Sequence, residues 1–136
     1  MTGESTTGGR ERGSAKYVFG VTVRLDPDRG DLTVDPTTVE ATLSRGADPP
    51  GEEGWLFFRD NLWKGELADP AHFQELTAEA LGVEVEAVDF RELRTSQQYL
   101  DGLKAAIRDD LALFNADSTT EVLSKYLGSS IHVVSG

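Results

Sequence analysis

The chain has no cysteine among its 136 residues, which excludes a disulfide framework, a thiolate metal site, a cysteine nucleophile and thiol redox chemistry. Lysine is scarce: it supplies four of the 13 basic residues, which stand against 24 Asp and Glu for a net charge of −11. An acidic surface repels a phosphate backbone, and the counterion release that drives nucleic-acid binding fades as salt rises, so no nucleic-acid partner is expected. No apolar run approaches the roughly 20 residues needed to cross a bilayer, and the N-terminus lacks the basic-then-apolar pattern of a secretory signal. The expectation is a cytoplasmic chain with no membrane partner. Neither a Gly-x-Gly-x-x-Gly nor a Walker pattern occurs, so nothing local supports nucleotide binding, and no cofactor is expected.

What is present suffices for one domain. Apolar residues make up 38% of the chain and charged residues 27%, a balance that supports a packed core rather than a disordered coil. The length fits a single unit. The excess of carboxylates has two readings: an ordinary acidic protein, or adaptation to molar salt, where a Debye length of about 3 Å screens self-repulsion while carboxylates keep the surface hydrated.

Residues 1–15, rich in Gly, Ser and Thr, read as a flexible tail, and 16–136 as the domain. From Lys16, the alternation of Tyr17, Phe19, Val21, Val23 and Leu25 with smaller or polar residues is that of a strand with one buried face. Asp26 to Gly30 is turn chemistry, and Leu32 to Pro36 suits a short edge segment. A second strand carries Val39, Ala41 and Leu43 on one face and Glu40, Thr42 and Ser44 on the other. After a Pro- and Gly-rich loop from Gly46 to Gly54, the run Trp55-Leu56-Phe57-Phe58 is apolar on both faces. It reads as a central third strand, which either continues to Trp63 or turns back at Asp60-Asn61.

Asp69 before Pro70 marks a helix start, with Phe73, Leu76, Ala80 and Leu81 at helical spacing until Gly82. Val83 to Leu93 returns to a strand, with Val88 and Phe90 on one face and Val83, Val85 and Ala87 on the other. From Ser96 a second helix places Tyr99, Leu100, Leu103, Ile107, Leu111 and Phe114 on one stripe. Ser118-Thr119-Thr120-Glu121 has capping-box spacing and opens a third helix ending at Gly128, with a short strand possible over Ile131 to Val134. The predicted fold is α+β: a mostly antiparallel sheet of four or five strands with two or three packed helices, a ferredoxin-like arrangement being one relative.

One segment concentrates chemistry. Arg59, Asp60, Asn61, Trp63 and Lys64 follow an apolar run, and two cations beside an indole could hold an anion. The competing reading puts the aromatics in the core, makes Asp60-Asn61 a turn, and pairs Arg59 or Lys64 with a carboxylate such as Glu66. Ser129, Ser130 and His132 lie outside any nucleophile elbow, so a cap running into a strand is preferred to a hydrolase. His72 with Glu75 falls short of a metal site, and Glu52-Glu53 and Asp109-Asp110 read as solvated surface.

Gly54 to Glu66 (GWLFFRDNLWKGE) and Gly128 to Val133 (GSSIHV), together with the acidic balance and the length, resemble the LWR-salt family of small acidic proteins from halophilic archaea. The likeness runs from about Lys16 to Val133. The naming triplet here is Leu62-Trp63-Lys64; Lys in place of Arg keeps the charge and loses the planar fork that grips a carboxylate twice. The resemblance implies a salt-adapted protein and brings no activity to carry onto these residues. With no catalytic motif in sight, the expected function is a non-enzymatic structural or interaction domain. The alternative is a small-molecule or anion-binding domain centred on Arg59–Lys64. Self-association is expected because a sheet strand apolar on both faces needs cover, from a second copy across a two-fold axis or from the chain's own last segment.

Overall fold

A computed structural model of the protein describes residues 13–25 and 37–134. The expected turn at Asp26 to Gly30, the edge segment at Leu32 to Pro36 and most of the N-terminal tail lie outside the described residues. Strand β1 (Ala15–Arg24) starts inside the expected tail boundary, and β2 (Thr38–Gly46) follows it. Helix α1 (Phe57–Asn61) leads into a two-stranded hairpin of β3 (Leu62–Trp63) and β4 (Glu66–Leu67). Then come α2 (Pro70–Leu81), β5 (Val85–Thr95), α3 (Gln97–Asp109), a 3-10 turn at Leu111–Phe114, α4 (Thr119–Tyr126) and β6 (Ile131–Val133).

The four-stranded sheet runs β2-β1-β5-β6. Its first two pairings are antiparallel, and β5 pairs with β6 in parallel, the connection between them passing through α3 and α4. The fold is therefore α+β with a mixed sheet. A ferredoxin-like plan interleaves two split β-α-β units so that neighbouring strands are all antiparallel, whereas here β5 and β6 are joined by a crossover and pair directly in parallel.

Tyr17, Phe19 and Val21 of β1 face the helices as their alternation predicts, Phe19 being fully buried. Phe73 of α2 stacks on Phe19 at 4.8 Å between ring centroids, and Phe57 closes on Tyr17 at 4.6 Å. In α3 the predicted stripe is the buried one: Ser96 accepts from the Tyr99 N–H at 3.1 Å as N-cap, and Tyr99, Leu100, Leu103 and Ile107 point inward. Ser118 caps α4 in the same way through the Glu121 N–H, and Val122 is buried.

Four sequence expectations change. Trp55 to Phe58 is not a central strand but a turn running into α1. The buried residues of this stretch, Trp55, Phe58 and Leu62, are spaced by three and four, which is helical. The chain reverses at Lys64-Gly65, not at Asp60-Asn61. On β5 the core side carries Val85, Val88, Phe90, Leu93 and Thr95, because register shifts against β1 between Val18/Phe19 and Thr22/Val23 insert an extra residue on β5 and reset the alternation each time. On α2 the sheet-facing residues are Phe73, Gln74, Thr77 and Ala78, while Leu76 and Leu81 are exposed; Gln74 fixes this rotation by donating to the Val85 carbonyl at 2.7 Å.

The other side of the sheet carries no helix residue from the core cluster. Lys16, Thr22, Arg24, Arg91 and Arg94 lie there with Glu40, Glu86, Asp89, Glu92 and His132. Cations and carboxylates alternate as pairs: Arg24 with Glu86 at 2.7 Å, Arg91 with Asp89 at 2.6 Å and Arg94 with Glu92 at 2.7 Å. The Arg91 guanidinium lies flat across β1 over Gly20, where a Cβ would collide with it.

Candidate functional site

The segment from Arg59 to Lys64 is split by its own backbone. Arg59 and Asp60 sit in the short helix α1, where the guanidinium donates to Asp60 Oδ1 at 2.9 Å and to the Leu113 carbonyl at 3.4 Å. Asn61 is spent at the helix end, its amide donating to the Phe57 carbonyl at 3.0 Å. Leu62 turns into the core at 1% exposure, so Trp63, next along β3, must face outward and is 47% exposed. The Trp63 indole stands edge-on to Tyr126 at 5.8 Å, and the Lys64 ammonium lies 5.9 Å from the centre of the indole ring. Arg59 is thus turned toward the 3-10 segment and Lys64 toward the hairpin tip.

Lys64 and Gly65 both have positive φ, 55° and 83°, as a tight two-residue hairpin turn demands. Their N–H groups point at the end of α4: Lys64 donates to the Lys125 carbonyl at 2.8 Å and Gly65 to the Tyr126 carbonyl at 3.0 Å. A helix ending leaves such carbonyls without partners, and here the hairpin supplies them. The Leu127 carbonyl next in line accepts from the Ser130 N–H at 3.1 Å and its hydroxyl at 2.5 Å. Gly128, at φ 59°, lets the chain pass the hairpin: a Cβ there would stand 3.1 Å from the Lys64 carbonyl. The two segments that carry the family resemblance therefore meet, one capping the helix that leads into the other.

Other expected residues are scattered. Asp60 and Asn61 line a shallow cleft of about 490 Å³ with Arg45, Glu52, Glu53 and Phe57, and the Arg45 guanidinium sits 4.5 Å above the Phe57 ring. Arg59, Trp63 and Lys64 do not line it. The Ser130 hydroxyl is committed to Leu127, and His132 stands exposed on β6 beside Arg94. The His72 N–H is held by Asp69 at 3.2 Å, and among the described residues no group of three His, Cys, Asp or Glu could hold a metal. No described helix is long and apolar enough to cross a membrane.

The titrating groups most displaced from their usual range are two tyrosines. Burial pushes Tyr99 up to about 12, with the neighbouring Asp48 adding to it, and its hydroxyl donates to the Asp48 carbonyl at 2.6 Å. Burial also raises Tyr17. Both are packing groups: Tyr99 pins the loop before α1 through Asp48, and Tyr17 packs on Phe57 of α1. Sequence reading had no signal for them beyond their place on buried faces.

In a comparison with known proteins, the family model described as LWR-salt protein aligns with residues 13–136. The chain belongs to the LWR-salt family. No curated protein and no solved structure matches it. In this LWR-salt protein the Leu-Trp-Lys triplet divides its labour three ways: Leu62 is core, Trp63 covers Tyr126, and Lys64 occupies the left-handed turn that caps α4. The cap runs through backbone N–H groups and does not draw on the Lys64 side chain.

Proposed function

We propose that this is a non-catalytic structural or interaction domain adapted to high salt, working in the cytoplasm of a halophilic archaeon. The observation that carries the reading is the partition of charge. The helices, the small hairpin and their loops, residues 48–84 and 96–130, hold 14 Asp and Glu against five Lys and Arg. The four strands of the main sheet hold four against five. A hydrated acidic layer suits solubility in brine, and the charge-balanced sheet face, which no described helix covers, is the side on which another surface can sit without repulsion. Trp55 and Phe58 support the interior, as the core reading of this segment expects, while Trp63 is exposed.

The alternative, an anion or small-molecule site centred on Arg59–Lys64, would rest on Lys64 and Trp63, since Arg59 is held by Asp60 and the Leu113 carbonyl. Fluorescence decides between them, because Trp63 is half exposed and Trp55 is buried. The proposal expects no saturable change in tryptophan emission when phosphate, citrate or a nucleotide is titrated to about 10 mM in 2 M KCl. Saturable quenching that is lost in Lys64→Ala would overturn it.

A further inference from the structure

The two edges of the sheet are unequal. β6 is three residues long, short enough to offer little to a passing strand. β2 is nine residues long and pairs with β1 over Lys16–Arg24 without a register shift. Among the described residues nothing pairs with its free side, and all of its residues but Thr38 and Leu43 are classed as exposed. Soluble proteins blunt such an edge with proline, lysine, a bulge or a covering segment. Thr38–Gly46 contains no proline, no lysine and no bulge.

We infer that β2 is the contact between two copies of this chain, paired antiparallel about a two-fold axis through Ala41. The sequence of the strand says why the partner is a second copy. Read outward from Ala41 in either direction, Thr38-Val39-Glu40-Ala41-Thr42-Leu43-Ser44 repeats its own character: a polar residue, then an aliphatic one, then a hydroxyl. In antiparallel pairing about that centre, Val39 of each copy meets Leu43 of the other and Ala41 meets Ala41 on the helix side. On the open side Glu40 meets Thr42 and Thr38 meets Ser44, so no like charges stand opposite. A shift of one residue would set aliphatic residues against polar ones.

Charge agrees with this choice. The strand holds one acid, Glu40, and one base, Arg45, in a chain of net charge −11, so two copies meet here on neutral ground. Backbone hydrogen bonds and aliphatic contact also survive in molar salt, where exposed ion pairs are screened. The pairing rests on the reading of the protein as an interaction domain and names its partner.

The absence of native cysteine makes the test clean. In an antiparallel pair, residues directly opposite stand about 4.5–5.5 Å apart at Cα, inside the disulfide range, so Ala41→Cys should crosslink across the axis on mild oxidation. Thr42→Cys, opposite Glu40, should crosslink at least about tenfold more slowly; the reverse ranking would overturn the register. Sedimentation equilibrium in 2 M KCl should give twice the 14.8 kDa chain mass for the native protein. Ala41→Lys sets two long side chains of like charge opposite each other on the axis and should weaken the dimer by about fivefold or more when the same measurement is made at about 0.5 M KCl, where screening is weaker. Ala41 is exposed, so that variant should melt as a folded monomer. A native monomer across the micromolar range, or an undiminished Ala41→Lys dimer, would overturn the inference. Anion titration of Trp63 addresses the broader reading separately.

Discussion

The sheet and the layer of helices packed on it are made from the same acidic chain and have opposite surfaces. The strands β1, β2, β5 and β6 carry a net charge of +1; the helices, hairpin and loops over residues 48–84 and 96–130 carry −9. On the sheet, each arginine of β1 and β5 lies within 2.7 Å of a carboxylate on its own or the adjacent strand. In the helical layer, α2 has Glu75 and Glu79 without a Lys or Arg of its own, and α3 ends on Asp109-Asp110, where a helix C-terminus disfavours negative charge. The lesson is that net charge is not spread evenly: the sheet is self-compensated, and any demand for salt should arise in the helical layer.

Substitutions sharpen the comparison by separating packing from charge. Phe58 is fully buried between Trp55, Phe114 and Tyr126, stacked on Phe114 at 5.7 Å, so Phe58→Ala should cost about 3–5 kcal/mol in denaturant unfolding. A loss below about 1 kcal/mol would mean that the helical layer is not held by this cluster. Trp55→Ala, 9% exposed, belongs in the same range, while Phe57→Ala, only partly buried, should cost less.

Smaller effects follow at the junction of the hairpin with α4. Gly65→Ala puts a Cβ 3.0 Å from the Leu127 carbonyl at a φ of 83°, and should cost about 1–3 kcal/mol. Lys64→Arg should be nearly neutral in the same assay, because the cap is made by the backbone N–H. Tyr99 gives a pH signature. Its pKa rises from near 10 when unfolded to about 12 when folded, so the stability linked to the neutral phenol is complete below pH 10 and is lost as pH climbs toward 12. Tyr99→Phe should flatten the alkaline limb of a stability–pH curve measured by chemical unfolding. Trp63→Ala, half exposed, should cost about 1 kcal/mol or less.

Much of this layout was legible in the chain. β1 declared itself through strict alternation, α3 through a stripe at helical spacing, and both α3 and α4 through serine caps that the structure contains. The misread parts share a cause: local pattern did not determine phase. Trp55 to Phe58 is apolar at every position, so a period of two and a period near 3.6 fit it equally. The inserted residues of β5 reset an alternation that sequence reading takes as continuous. The turn at Lys64-Gly65 was hidden because Lys is an unusual occupant of a left-handed position, whereas Asp60-Asn61 looked like turn chemistry and became helix. The Arg59–Lys64 group was legible as a concentration of chemistry, but the reversal within it, which sends Arg59 and Lys64 to different neighbours, depends on where the strand begins.

The measurement that bears most directly on the partition of charge is the melting temperature between 0.1 and 3 M KCl for three proteins. These are the native chain, a helical-layer variant with Glu75→Gln, Glu79→Gln and Asp109→Asn, and a sheet variant with Glu40→Gln. Self-repulsion screened by salt predicts a native melting temperature that rises across the range, a visibly smaller rise in the helical-layer variant and an unchanged rise in the sheet variant. A native melting temperature that stays flat or falls, or a helical-layer variant that keeps the full rise, would contradict the account.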